Sequence, residues 1–242
     1  MKLSIIVPVY NEIHTVGAVL QSVSKALPQV EKEIVVVDDG STDGTREWLV
    51  AEQARDWQGL VEETALTTVR LALHPQNKGK GAALREGFCQ ASGDVMVIQD
   101  ADLEYDPQDW AEMWRLIEQG RADVVYGSRF YGRAHRVLYL HHLLGNKTIS
   151  AFLNIVCNTT LSDVEVCYKM FRREVWKEMT LTCDGFGFEV EFTVKMARSP
   201  RRWRLYEVGI AYYGRTYDEG KKISWKDGVR ALWLIIWFAL RR

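Results

Sequence analysis

At 242 residues and 27.9 kDa the chain has room for one α/β domain with an appendage, and chains of this size bury about 70–75% of their unfolded surface. Its 47% hydrophobic and 26% charged residues are those of a globular protein and exclude collagen-like, disordered and disulfide-scaffold classes. The net charge of −1 offers no field to recruit nucleic acid, but it is unevenly laid out: residues 198–242 carry eleven Lys/Arg against four Asp/Glu, or +7, which leaves −8 for residues 1–197.

Apolar runs and helical periodicities alternate from the start. Strands are predicted at 4–10, 33–38, 69–74, 94–99 and 122–127, and helices at 15–26, 44–53, 81–91 and 107–119. In the last helix Trp110, Met113, Trp114 and Ile117 fall on one face. Ile34-Val35-Val36-Val37 is continuously apolar, as expected of a parallel strand covered by helices on both faces. The fold class is therefore α/β, with a Rossmann-like, mostly parallel, doubly wound sheet. In such sheets ligands sit beyond the carboxyl ends of the strands, and those ends are polar here.

After residue 127 the pattern loosens. A basic, His-rich segment at 129–142 leads into an apolar stretch to 156, an acidic segment at 163–169, a helix-like run near 189–198 and a strand-like alternation at 204–213. This suggests a regular half at 1–128 and a less regular half at 129–222, followed by an amphipathic helix at 223–242. The helix ends in ten apolar residues, 231–240, too few for a bilayer span of about 20. Two Trp, a Phe and flanking Lys222, Lys226, Arg230, Arg241 and Arg242 suit a helix lying in a membrane interface. A terminal helix packed on the sheet is the alternative. Cys89, Cys157, Cys167 and Cys183 form no C-x-x-C pair and are expected to be free, buried thiols; with no signal-type apolar run at the start, the chain reads as cytosolic.

The strongest chemical signal is Asp100-Ala101-Asp102 after the fourth strand. On extended backbone, residues i and i+2 face one side, so the two carboxylates would meet at one point and call for a hard cation, Mg²⁺ or Mn²⁺, of the kind that holds nucleotide phosphates. Glu104 is a third candidate ligand. Asp38-Asp39 follow the second strand, where acceptor-only groups suit a base or ribose. Pro8 and Tyr10 close the first strand, Tyr10 offering a face for a base. In the loop after the third strand, Gly79 and Gly81 allow close backbone approach, and Lys78 and Lys80 are positioned to meet phosphate. Neither a Walker loop nor a G-x-G-x-x-G is present.

In order and spacing, P-V-Y-N-E at 8–12, V-V-D-D-G-S-T-D-G-T at 36–45, N-K-G-K-G-A-A-L-R-E-G at 77–87, G-D-V-M-V-I-Q-D-A-D-L-E-Y-D-P at 93–107 and Y-G-S-R at 126–129 resemble the family 2 glycosyltransferases. The likeness is greatest to the branch that transfers a sugar from a nucleotide to dolichyl or polyprenyl phosphate, and it covers residues 1–225. It implies a GT-A fold, inversion at the sugar carbon, and partners that are a GDP- or UDP-hexose, a lipid phosphate and the cytosolic membrane surface, with no nucleic acid. It further implies that Pro8, Tyr10, Glu12, Asp38 and Asp39 hold the nucleotide, with Lys78, Asp100 and Ala101 also on the nucleotide-sugar. Asp100, Asp102 and Glu104 would take the metal and diphosphate. Asp102, Arg129, Arg215 and Glu191, or Glu189 beside it, would form the catalytic set, and His141, His142 or Lys147 would fill a further basic position; residues 1–128 would then be the nucleotide-sugar-binding half and 129–222 the acceptor-side half.

A phosphate-monoester acceptor, with a second pKa near ~6, is already anionic and needs only orientation. A sugar hydroxyl would need a base, from Glu189, Glu191 or Asp163. A glycan hydroxyl acceptor, or a non-catalytic nucleotide-binding module, are the other readings the sequence allows.

Overall fold

The computed structural model describes residues 1–61, 66–216, 219 and 225–241. Seven strands form one sheet: β1 (Leu3–Val9), β2 (Lys32–Asp38), β3 (Thr67–Leu73), β4 (Val95–Ile98), β5 (Val124–Ser128), β6 (Lys169–Arg172) and β7 (Leu205–Gly209). Their order is β3-β2-β1-β4-β6-β5-β7. All pairs are parallel except those made by β6, which runs antiparallel between β4 and β5. The chain steps outward from β1 to β3 and then returns to β4 on the other side of β1. The carboxyl ends of β1 and β4 therefore open a crevice at a topological switch point.

Helices α1 (Val16–Lys25), α2 (Thr45–Ala54), α3 (Lys80–Gln90) and α4 (Trp110–Glu118, after a 3₁₀ turn at Pro107–Asp109) cover the sheet as the periodicity predicts. β1 and β2 are almost wholly buried, which is what their uninterrupted apolar sequence demands. Polar exceptions inside the sheet are satisfied: Glu33 accepts hydrogen bonds from Ser4 Oγ (2.6 Å), Ser92 Oγ (2.8 Å) and the Gly93 amide (3.0 Å), tying β1 and β2 to the turn before β4.

The second half holds α5 (Leu140–Cys157), α6 (Arg173–Lys177), α7 (Phe188–Ala197) and α8 (Trp225–Leu240). The sequence pattern does not reveal β6: four residues between buried neighbours carry no period. The strand expected at 204–213 is shorter, Leu205–Gly209, because beyond Gly209 the chain leaves the sheet to line the crevice.

α8 packs against α5 and α7. Ala231, Leu234, Ile235 and Phe238 are buried, whereas Val229, Trp233, Ile236, Trp237 and Leu240 are exposed. One face of the helix is therefore packed, on α5 and α7 and not on the sheet as the alternative had it, and the other is left exposed. Lys222 and Arg242, counted among its flanking cations, lie outside the described residues, as does the side chain of Lys226. Of the four free thiols only Cys167 is buried; Cys89 is exposed and the others are intermediate, contrary to the expectation of buried cysteines. No helix among the described residues is long and apolar enough to cross a membrane.

Candidate active site

A cleft of about 1270 Å³ lies over the β1–β4 switch point and runs from Pro8, Tyr10 and Asp39 across Asp100–Glu104 to α5 and the start of α8. Its first wall is set by Asp39. One carboxylate oxygen takes the Lys78 amide (2.9 Å) and lies 2.7 Å from His74 Nδ1, while the other takes the Gly79 amide (2.7 Å), so the loop before α3 is folded onto the end of β2. Gly79 is required there. Its φ is +101°, and a Cβ would stand 2.4 Å from the Asp184 carbonyl.

Asp38 points the other way. It is fully buried, lies 2.6 Å from Arg46 Nη2 and accepts the Ser41 amide (3.2 Å), and it does not line the cleft. Lys78 contributes its backbone to Asp39, and its side chain is likewise not on the cleft wall. The lysine on that wall is Lys80, at the first position of α3, 2.8 Å from Asp100 Oδ1 and 3.3 Å from Glu189 Oε1. Burial opposes its charge, but Asp100 first, with Glu189, outweighs that and holds the ammonium well above the usual lysine range.

The D-x-D segment is not the extended run its spacing suggests. β4 ends at Ile98, Ala101 and Asp102 sit in a turn, and Leu103 has φ +61°. Asp100 is consequently turned to Lys80, and Asp102 to Arg215 Nη2 (3.0 Å). Glu104 accepts Tyr212 Oη–H (2.9 Å) and the Arg215 amide (2.9 Å). Arg215 also lies 3.5 Å from Glu12. Among the described residues no group of three or more His, Cys, Asp or Glu is spaced to hold a metal ion, so the expected trio of Asp100, Asp102 and Glu104 does not converge on one point. The site is nevertheless short of positive charge. Burial, with the charges of Asp100 and Glu104, pushes the Asp102 carboxyl up to about 7 despite Arg215. Thr15 joins the two strand ends, its Oγ lying 2.6 Å from the Ala101 carbonyl and 2.9 Å from Glu12 Oε2.

Further along, Arg129 lines the cleft, held by a two-pronged contact to Asp163 (2.7 Å each) with its guanidinium 5.2 Å from the centre of the Tyr212 ring. His141 and His142 line the cleft as well. Lys147 instead sits 4.0 Å over the Phe130 ring. Glu191 is a correction to the expected catalytic set. It is fully buried on α7, accepting the Thr182 and Cys183 amides (2.9 and 2.7 Å) and lying 2.7 Å from Lys195, and it is not on the cleft wall. Burial alone would raise its carboxyl, but Lys195 and those amides hold it below the usual range. Two residues apart on a helix, Glu189 and Glu191 point to different sides, and Glu189 faces the cleft.

Sequence reasoning overlooked Thr15, Tyr212 and Glu165, and it favoured Lys78 over Lys80. Lys80 had a signal, since it opens a helix whose first residue must face the crevice. Tyr212 and Glu165 had none, because they arrive from the irregular half.

Comparison with known proteins agrees with this architecture. The chain superposes on glucosyl-3-phosphoglycerate synthase of Mycobacterium tuberculosis, crystallised with Mn²⁺, UDP-glucose and phosphoglyceric acid, with a TM-score of 0.69 over 98% of this chain and 79% of that one, at 20% identity. The same enzyme with Mg²⁺ and UDP gives 0.61 over 90% and 73%, at 19% identity. At this identity the likeness establishes the fold, which is the GT-A fold of glycosyltransferases. Residues 4–180 match Glycosyl transferase family 2, and the chain belongs to that family.

Relatives include the undecaprenyl-phosphate mannosyltransferase of Micrococcus luteus, 30% identical over 91% of this chain and 87% of that protein. The dolichol-phosphate mannosyltransferase of Pyrococcus furiosus is 28% identical over 92% and 61%, and the low-salt glycan biosynthesis hexosyltransferase Agl6 of Haloferax volcanii 28% over 94% and 51%. The chain spans between half and three fifths of the length of the latter two.

Proposed function

We propose that this protein is an inverting, metal-dependent glycosyltransferase that moves a hexose from GDP or UDP to a polyprenyl or dolichyl phosphate at the cytosolic membrane surface. The observation that carries the reading is the two-ended cleft. One end gathers Asp39, Asp100, Asp102 and Lys80 at the switch point; the other opens at α5 and the start of α8, where Val137, Leu140, Leu143 and Val229 line it and are exposed. A substrate pair that is polar and charged on one side and aliphatic on the other matches that division. The names of the relatives point to the same acceptor class.

In this reading Pro8, Tyr10 and Asp39 take the nucleoside and Lys80 meets the diphosphate. The carboxylates of Asp100 and Asp102 fit a divalent ion: they are hard oxygen donors, and burial, with the charges of Asp100 and Glu104, has raised Asp102. Because the described residues offer no complete ligand set, the remaining donors must come from diphosphate and water. The ion would neutralise charge developing on the departing diphosphate. Arg215 is the residue placed to follow that charge, since Asp102, the nearest of its three carboxylate partners, is one a cation would take over. Arg129 is anchored by Asp163 and orients the acceptor side. An acceptor phosphate oxygen attacks the anomeric carbon in line as the bond to the diphosphate breaks, and no protein base is needed because the nucleophile is already anionic.

The test has two stages. Thermal shift with UDP, GDP and their hexoses, with Mn²⁺, Mg²⁺ or chelator, should give a metal-dependent shift for one base, since a ligand that binds only the native state raises its apparent stability. The matching donor should then label undecaprenyl or dolichyl phosphate. Absence of any nucleotide shift refutes the reading, and transfer to a glycan hydroxyl in place of the lipid phosphate refutes its acceptor.

A further inference from the structure

Two carboxylates used in no step above face the middle of the cleft. Glu165 stands in the turn between α5 and β6, and Glu189 in the first turn of α7; both line the cleft wall. Glu189 is 3% exposed. Its Oε2 is paired with Lys169, while its Oε1 lies 3.3 Å from Lys80 Nζ yet accepts no hydrogen bond. Oε1 of Glu165 is buried and has no hydrogen-bond partner at all. A buried acceptor left without a donor costs about 1–3 kcal/mol, so Glu165 Oε1, on the same wall as a Glu189 oxygen that has an ion pair but no hydrogen bond, marks a place where a ligand supplies donors.

The surroundings narrow the ligand's chemistry. An anion is disfavoured by two carboxylates, and two lysines already serve Glu189. A metal ion lacks the ligand set among the described residues. A neutral hydroxyl fits, since it donates to an acceptor-only oxygen and brings no charge to bury. Burial first, then the charge of Glu189, pushes the Glu165 carboxyl up to about 7 against Lys169 and Arg129, so near neutral pH it can both accept from and donate to a hydroxyl. Position gives the rest. Lys80 bridges Asp100 and Glu189, so the two glutamates lie next to the diphosphate end of the donor, where the group attached to the diphosphate must sit.

We infer that Glu165, with Glu189 beside it, is a specificity-determining residue that receives hydroxyls of the transferred sugar. The inference rests on the donor reading given above. It predicts that the chain distinguishes sugars by one hydroxyl whose loss leaves a buried carboxylate unpaired, the arrangement that discriminates most strongly between close analogues.

The experiment compares the wild-type protein with Glu165→Gln. Affinities are measured for the nucleoside diphosphate, its hexose, and donors in which single sugar hydroxyls are replaced by hydrogen. The variant should bind the nucleoside diphosphate as the wild type does and the nucleotide-hexose about tenfold more weakly. One deoxy donor should lose about tenfold on the wild type and nothing further on the variant. Equal hexose affinity in both proteins, or wild-type indifference to every deoxy donor, overturns the inference even if the variant folds poorly, because the second measurement needs only the wild type. Failure of the wild type to bind any nucleoside diphosphate overturns the donor reading itself, which keeps the two failures apart.

Discussion

Arg215→Ala tests the centre of the site most directly. The guanidinium lies 3.0 Å from Asp102, 3.4 Å from Glu104 and 3.5 Å from Glu12, and it is 22% exposed. Breaking a fully buried ion pair costs about 3–5 kcal/mol; partial exposure here reduces that to about 2 kcal/mol. For a chain of this length that is a fall in Tm of about 4–8 °C when chelator is present. Mn²⁺ should recover much of the loss, because the stranded carboxylates are then free to take the ion, so the metal-induced shift is larger in the variant than in the wild type. Turnover behaves differently. A charge-assisted contact made to the developing diphosphate or to the acceptor phosphate contributes about 3 kcal/mol, a kcat lower by about 100-fold, while nucleoside diphosphate affinity changes by no more than about twofold. Initial rates with saturating donor and lipid phosphate, set beside calorimetric nucleotide binding, give both numbers. Unchanged turnover removes Arg215 from the site, and a loss of nucleotide affinity as large as the loss of turnover assigns it to the donor alone.

Asp102→Asn should abolish the Mn²⁺-dependent part of nucleotide binding and leave binding in chelator nearly unaltered; equal losses under both conditions would show the carboxylate to be structural. Trp233→Glu combined with Trp237→Glu, on the stacked pair 5.0 Å apart, should lower flotation on anionic liposomes at least fivefold without altering the nucleotide thermal shift, and undiminished flotation would rule out that face as the membrane contact. Glu33 sets an acid limb. Burial would raise its carboxyl, but Ser4, Ser92 and Lys2 together hold it at about 2 in the folded state against 4.5 unfolded. That depression stabilises the fold above pH 4.5 by about 3 kcal/mol and is lost as pH falls from 4.5 towards 2. Glu33→Gln should therefore be less stable at neutral pH and show a flatter decline across that window in denaturant titrations; parallel declines would refute the assignment.

The first half of the fold was legible because its sequence is repetitive. Strands buried on both faces must be apolar throughout, helices over a sheet must show a stripe, and the alternation of the two leaves few topologies. Of the site, Pro8, Tyr10, Glu12, Asp39, Asp100, Ala101, Asp102, Glu104, Arg129 and Arg215 all line one cleft, as their motifs implied. Proximity was readable from strand ends, but orientation was not. Asp38 and Asp39 are chain neighbours where β2 ends and face opposite ways, one to Arg46 and one to the cleft. Glu189 and Glu191 fall on different sides of a helix, and the D-x-D carboxylates sit where the chain has left β4 for a turn that spacing does not announce.

What the sequence by itself determined is the class of sheet, its polar edge and the crowding of carboxylates along that edge, since these follow from local period and residue type. Only the tertiary structure decided which lysine reaches Asp100, that Arg215 arrives from more than a hundred residues away to sit among three carboxylates, and that α8 buries one apolar face while exposing another. Those outcomes depend on how separate elements meet, and the balance of burial, charge and hydrogen bonding at such a meeting is a property of neighbours in space that the order of residues along the chain does not carry.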